Sequence, residues 1–314
     1  MQRDIIVREV GTRDGLQLVK TMLPTEIKLA WIKAASAAGV PEIEVSNFVP
    51  SKVIAQFADA ADVARGSLAF PGSLMCALAP NRKGAEFALA TGLKKLNFVM
   101  SVSETHNLAN VRKTSDQSFD EFRQIVELRG SRPEWKSVKI QGCLATSFGC
   151  TLEGKVDPDR VLTFVERFLK LGADEILLAD TVGYAGPSEV ENLFHHTVTL
   201  ATGKPVYAHF HDTRGLGLAN VYAALEAGVG AFDASTGGLG GCPFAPGATG
   251  NIVMEDLVFL LEKEGLKTGV NLEAYREARA IAEKALPGER FYGGVPRAGL
   301  PKGFVPPSRV MAAE

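Results

Sequence analysis

No stretch of this chain approaches the ~20 consecutive apolar residues that a bilayer-spanning helix needs, so a helical membrane protein is excluded. Charge of one sign is missing too. The 34 basic residues face 36 acidic ones, a net charge of −2, which leaves no electrostatic footprint for nucleic acid or an anionic membrane surface. Cysteine is sparse: Cys76, Cys143, Cys150 and Cys242 show no CxxC spacing, the pattern of reduced thiols in a cytosolic protein. The opening Met-Gln-Arg-Asp-Ile-Ile-Val has neither the apolar run nor the small-residue cleavage site of a signal peptide. Low-complexity segments are absent as well. A soluble cytoplasmic globular protein is expected.

What is there is alternation. Strand-like segments at Asp4–Glu9, Glu42–Val45, Leu74–Leu78, Lys95–Val102, Lys139–Ala145, Glu175–Asp180, Val206–Asp212 and Ala231–Ser235 are each followed by a segment of helical period. The helices are expected over Pro24–Ala38, Ser51–Ala64, Asn81–Thr91, Phe119–Leu128, Pro158–Leu171, Pro187–Leu200, Leu218–Ala227 and Met254–Glu264. Gly39, Gly92, Gly172 and Gly228 stand between a helix and the next strand, where a left-handed helix stop is needed. Eight strand–helix pairs in ~265 residues indicate a closed (β/α)8 barrel. An open dinucleotide-binding sheet would carry GxGxxG after its first strand, whereas the turn here is Gly11-Thr-Arg-Asp-Gly15. Residues 1–268 are assigned to the barrel and 269–314 to a cap, with a helix over Leu272–Ala285 and a loosely ordered Pro/Gly-rich end.

A barrel of this type places its chemistry at the C-terminal ends of the strands. The seventh strand, Val206-Tyr-Ala-His-Phe-His-Asp212, puts His209 and His211 on one face, because side chains two residues apart point the same way. Two imidazoles so placed make a chelating pair for a divalent cation, or a hydrogen-bonded pair at a strand end. Other strand ends contribute Glu9, Arg13 and Asp14, then Glu44, then Asp180, and finally a glycine-rich loop running from Thr236 to Asn251. Arg13-Asp14-Gly15 also reads as a turn and Asn251 as a helix cap. Glu44 and Asp180 are lone carboxylates in apolar strands, and burial requires a cationic or metal-linked partner for each. Asp233 stays unassigned. Asp14, His209, His211 and Asn251 around one cation would suit Mg2+ or Mn2+, and His209, His211 and Cys242 would suit Zn2+. Cys242 in its glycine-rich loop is better placed as an acid/base or lid group.

Val7-Arg-Glu-Val-Gly-Thr-Arg-Asp-Gly-Leu-Gln17, Ala208-His-Phe-His-Asp-Thr-Arg-Gly215 and Gly240-Gly-Cys-Pro-Phe-Ala-Pro-Gly-Ala-Thr-Gly-Asn251 resemble the motifs of the 3-hydroxy-3-methylglutaryl-CoA lyases, within the wider DRE-TIM metallolyases. Ser103-Glu104, Gly149-Cys150, Glu153-Gly154 and Asp180-Thr181 also match, and the similarity runs from Ile5 to Asn271. The resemblance implies that Asp14, His209, His211 and Asn251 hold the metal, that Arg13 stabilises an enolate, and that Cys242 sits on the catalytic loop. Glu44 and Asp180 would be supporting or acid/base carboxylates. Departures border the substrate and leave the reaction class intact: Leu18-Val19 where the family has Asn-Glu, Gln141 in place of a fifth-strand arginine, and Ser103-Glu-Thr-His106 for Ser-Glu-Leu-Phe.

The implied reaction is a retro-Claisen cleavage of a 3-hydroxyacyl-CoA. A carboxylate or histidine relay, with Asp180 the best candidate and His209 within it, removes the hydroxyl proton. CoA enters as part of the substrate, with Lys20 the first candidate for its phosphates and Arg112 and Lys113 weaker ones. A metal-dependent aldolase or Claisen synthase on oxo-acids is the alternative, and a non-catalytic metabolite-binding barrel the third possibility. The partner expected is a small-molecule acyl-CoA, with no nucleic acid and no membrane, in a homo-oligomer.

Overall fold

The computed structural model describes residues 4–241 and 250–307. Eight parallel strands close into a barrel in sequence order, β1 Ile6–Glu9, β2 Glu42–Asn47, β3 Leu74–Leu78, β4 Lys95–Ser101, β5 Lys139–Ala145, β6 Glu175–Asp180, β7 Val206–Phe210 and β8 Ala231–Ala234. Closure is between β1 and β8, with Arg8 opposite Asp233. The outer layer comprises α1 Thr25–Ala37, α2 Ala60–Ser67, α3 Arg82–Leu89, α4 Glu104–Val111, α5 Ser115–Gly130, α6 Pro158–Lys170, α7 Pro187–Ala201, α8 Gly217–Glu226 and α9 Met254–Lys263. The chain continues into α10 Leu272–Ala285 and a short α11 Gly294–Ala298. Among the described residues no helix is long and apolar enough to cross a membrane.

Strand residues alternate between two destinations. One set (Val7, Ile43, Val45, Phe98, Ile140, Ile176, Leu178, Phe210, Phe232) packs under the helices in the main apolar core. The other set fills the barrel, and much of it is charged. Arg8 donates to Asp233 from Nε at 2.8 Å and from a terminal nitrogen at 2.9 Å, and to Glu42 and Gln141 at 3.2 and 2.9 Å. Lys95 pairs with Glu42 at 2.7 Å and with Glu175, and Tyr207 donates to Glu42 at 3.0 Å. Buried charges are tolerated only when paired in this way. The β2–β3 pairing is irregular between Glu44 and Ser46, so Asn47 stands opposite Leu78. One extra residue in the strand flips every later side chain to the other face. Asn47 therefore turns into the barrel mouth with Leu78, and both line the cavity there.

The expected glycine stops are present: Gly39, Gly92, Gly172 and Gly228 have φ of +90°, +97°, +97° and +90°. Three segments differ from the sequence expectation. The helix expected over 51–64 begins only at Ala60; ahead of it Val53 and Ile54 line the cavity and Ala55–Phe57 forms a single 3-10 turn. The segment before the fourth barrel helix carries α4, capped by the Ser103 hydroxyl, which accepts the His106 N–H at 3.1 Å. The end expected to be loosely ordered includes α11, whose first N–H groups (Gly294 and Val295) donate to Asp256 at 2.7 Å each.

Candidate active site

The two histidines of the seventh strand unit are buried at its C-terminal end, with Nε2 atoms 3.1 Å apart. Asp233 accepts a hydrogen bond from His209 Nδ1 at 3.0 Å, which assigns the proton to Nδ1 and leaves the Nε2 lone pair facing inward. Burial raises the Asp233 carboxyl, but Arg8 and His209 outweigh it and bring its pKa to about 2. Asp14 arrives from a single turn of π-helix, Gly11–Gly15. The Val10 carbonyl accepts the N–H groups of Arg13, Asp14 and Gly15 at 3.0, 2.7 and 3.2 Å. That bend delivers Asp14 Oδ2 to 3.9 Å from His209 Nε2 and 3.7 Å from His211 Nε2. Burial raises the Asp14 carboxyl too; Arg13 and the two histidines override it and hold the group well below the usual carboxylate range.

Asn251 completes the ring. It lies in a β-bridge with His211, and its Nδ2 donates to Asp14 Oδ2 at 2.8 Å and to the Leu239 carbonyl at 3.1 Å. A Cβ on Gly240 would fall 2.5 Å from Asn251 Nδ2, so this approach requires glycine. Arg13 spans the site, donating to Asp14 Oδ1 and to Glu44 Oε2 at 2.5 Å each. The other Glu44 oxygen accepts from Asn97 at 2.6 Å.

Three features fit a divalent cation. The ligand atoms of Asp14, His209 and His211 lie within 4.8 Å of one another. Asn251 Oδ1 and His211 Nδ1 are buried without hydrogen-bond partners among the described residues. If His211 carries its proton on Nδ1, two lone pairs face each other 3.1 Å apart, and a shared cation removes that repulsion. Finally, the connected network holds Arg8, Arg13 and Lys95 against Asp14, Glu42, Glu44, Glu175 and Asp233. With neutral histidines its formal charge is that of two unpaired carboxylates, which a dication cancels. A carboxylate, a carboxamide and two imidazoles suit Mg2+ or Mn2+.

The structure thus brings together Asp14, His209, His211, Asn251, Arg13 and Glu44. Asp180 is different. Strand alternation turns Ala179 into the barrel and Asp180 away from it. The Asp180 oxygens accept the N–H groups of Tyr184 and Ala185 at 2.9 and 3.0 Å, while burial pushes its carboxyl up. Its geometry is that of a brace for the loop after β6, beside His211, and not that of the proton acceptor expected from the sequence. Lys20 is exposed and outside the cavity wall. Lys113 is paired with Glu121, and Arg112 ends α4 in a left-handed conformation. Cys242, in both its catalytic and its zinc-ligand role, lies outside the described residues.

Sequence reasoning missed Arg8 and left Asp233 without a role. The available signal was register: Arg8 pairs with Asp233, and Asp233 with His209, across adjacent strands. Glu9 was grouped with the site but faces outward, accepting from Tyr275, Thr236 and the Gly11 N–H, and so ties the π-turn to α10.

A model of the family described as HMGL-like matches residues 4–281. This chain belongs to that family. Among its relatives are the Bacillus subtilis hydroxymethylglutaryl-CoA lyase YngG, 38% identical over 90% of this chain and 94% of that one, and the mouse mitochondrial hydroxymethylglutaryl-CoA lyase, 37% identical over 91% and 87%. An HMG-CoA lyase from Acinetobacter baumannii, solved with coenzyme A and 3-methylmalate, superposes with a TM-score of 0.89 at 42% identity, covering 96% of this chain and 97% of its own. The carboxyl transferase domain of Rhizobium etli pyruvate carboxylase shares the barrel, with a TM-score of 0.70 at 18% identity. In this HMGL-like chain Arg13, Asp14, His209, His211 and Asn251 meet at one mouth of the barrel.

Proposed function

We propose that this protein cleaves 3-hydroxy-3-methylglutaryl-CoA to acetyl-CoA and acetoacetate, using a divalent cation held by Asp14, His209, His211 and Asn251. The convergence of these four residues beside Arg13 carries the proposal. The cation, Mg2+ or Mn2+, would supply Lewis-acid polarisation of substrate oxygens. The chain's own groups do the rest. Asp233 and Arg8 hold the His209 ring in one tautomer. Glu44 lines the cavity beside Arg13 and is not one of the proposed metal ligands, and it takes the C3 hydroxyl proton in preference to Asp180. As the C2–C3 bond breaks, its electron pair moves into the thioester to give an enolate, and the C3 carbon becomes the ketone of acetoacetate. Arg13, permanently cationic, stabilises the enolate oxygen.

Cys242 returns a proton to C2, completing acetyl-CoA. Its place in the chain supports this: Leu239 accepts from Asn251, and Gly241 lines the cavity. Lys20 remains the proposed contact for CoA phosphates, and the protein is proposed to act in the cytoplasm as a homo-oligomer. The test is a Mn2+-supplemented panel of short hydroxyacyl-CoA esters, including citramalyl-CoA, read as acetyl-CoA formed. Turnover of the methylglutaryl ester supports the proposal. Turnover only of CoA-free oxo-acid substrates would replace it with the aldolase reading.

A further inference from the structure

The C-terminal extension is tied to the turn after β8 by a closed ring of hydrogen bonds that the cleavage chemistry does not use. That turn is a single 3-10 turn, Thr236–Gly238, and Glu255 stands in the first turn of α9. The Gly237 N–H donates to Glu255 Oε2 at 3.1 Å. The other Glu255 oxygen accepts from a terminal nitrogen of Arg279, on α10, at 3.0 Å. The same nitrogen donates to the Tyr292 carbonyl at 2.8 Å, and the Tyr292 N–H returns to the Gly237 carbonyl at 2.7 Å. One guanidinium thus joins the 3-10 turn, α9, α10 and the segment before α11. Glu283 fixes Arg279 from within α10, accepting from Nε at 2.7 Å. Phe291 lies so close to Gly237 that a Cβ there would fall 2.5 Å from its ring. Glu255 is 4% exposed, and a carboxylate so buried depends on its cation.

The ring leads to a residue of the proposed metal site. Two residues beyond Gly237, the Leu239 carbonyl accepts the Ser235 hydroxyl at 2.5 Å and Asn251 Nδ2 at 3.1 Å. The turn and the Gly250–Asn251 segment are in close contact, since a Cβ on Gly250 would fall 2.5 Å from the Gly238 carbonyl oxygen. Leu239 and Asp14 together occupy the Asn251 NH2 group and leave Oδ1 as the open ligand atom. Resting on the metal-dependent function proposed above, we infer that Arg279 is a positioning residue for Asn251. Through Glu255 and Tyr292 it holds Gly237 in place, and with it the Leu239 carbonyl that orients the Asn251 amide. Arg279 touches none of the four proposed ligands. Without it, Glu255 loses its counter-charge, the Gly237 N–H loses a fixed acceptor, and the Asn251 amide is free to turn. Groups that orient a ligand in this way set metal affinity without binding the metal.

The experiment uses the full chain and compares wild type with Arg279→Met, Arg279→Lys and Phe291→Ala. Arg276→Met is the control on the same helix, where Arg276 is exposed and pairs with Glu273. Mn2+ affinity is read by electron paramagnetic resonance, and amide hydrogen exchange over residues 235–240 of the metal-free protein by mass spectrometry. Arg279→Met should speed exchange in that segment and weaken Mn2+ binding about tenfold, the lower end for a group that orients a ligand. Arg279→Lys should recover most of both, because a single Arg279 nitrogen serves Glu255 and Tyr292 and an ammonium can donate to two acceptors. Phe291→Ala should move both readouts in the same direction, and it carries the test if Arg279→Met does not fold. Arg276→Met should match wild type. Wild-type exchange and affinity in folded Arg279→Met or in Phe291→Ala, or an equal loss of affinity in Arg276→Met, would overturn the inference. Wild-type protein that binds no Mn2+ refutes the metal centre itself and takes this role with it.

Discussion

Asp233 touches no proposed ligand atom directly, yet replacing it with asparagine should disable the metal centre. Its carboxylate serves two partners at once, accepting from Arg8 at 2.8 and 2.9 Å and from His209 Nδ1 at 3.0 Å. A carboxamide has only one acceptor. If that oxygen stays with Arg8, the NH2 group faces His209 Nδ1 and drives its proton to Nε2, the atom that must donate a lone pair to the cation. The network also loses one of its two surplus negative charges. Partners of this kind are worth ~10–100-fold in metal affinity, or ~1.4–2.7 kcal/mol. Arg8 keeps Glu42 and Gln141, so Asp233→Asn should still fold, as circular dichroism would show. Mn2+ titration followed by electron paramagnetic resonance reads the affinity. A folded Asp233→Asn protein that binds Mn2+ as tightly as wild type would refute the reasoning.

Arg13→Met should lower kcat ~10²–10³-fold, the scale for losing one oxyanion partner, with Mn2+ affinity close to normal; a large loss of affinity instead would make Arg13 a structural prop. His211→Ala should raise the Mn2+ concentration giving half-maximal activity by ~10-fold or more, and an unchanged metal requirement would misplace the site. Burial holds the Glu9 pKa at about 7 against an ordinary 4.5, despite the bonds from Tyr275, Thr236 and Gly11. The folded chain thus binds this proton more tightly than the unfolded one. The resulting stability, on the order of 3 kcal/mol, is complete below pH 4.5 and lost as pH rises through 7. Glu9→Gln should flatten the fall in urea midpoint across that window, and an unaltered slope would contradict the assignment.

Much of the barrel was legible because its signals are local. The glycine stops, the helix at Pro158 and the His209–His211 spacing each depend on a few neighbouring residues. Asp14 and Asn251 were legible as donors at strand ends, although their meeting depends on closure of β1 against β8. What escaped depends on which face a strand residue takes. Arg8 and Asp233 point inward and Asp180 outward, and no local pattern separates these cases when both faces of a strand are buried. Asn47 escaped because the β2 irregularity reverses its face, and α4 because an eight-residue helix in a loop leaves too short a period to see.

The most direct test is metal removal and return. Protein stripped with a chelator should release no acetyl-CoA from 3-hydroxy-3-methylglutaryl-CoA, and activity should return in proportion to bound Mn2+, reaching its maximum at one ion per chain. Acetyl-CoA formed at an equal rate by stripped and Mn2+-loaded protein would contradict the account.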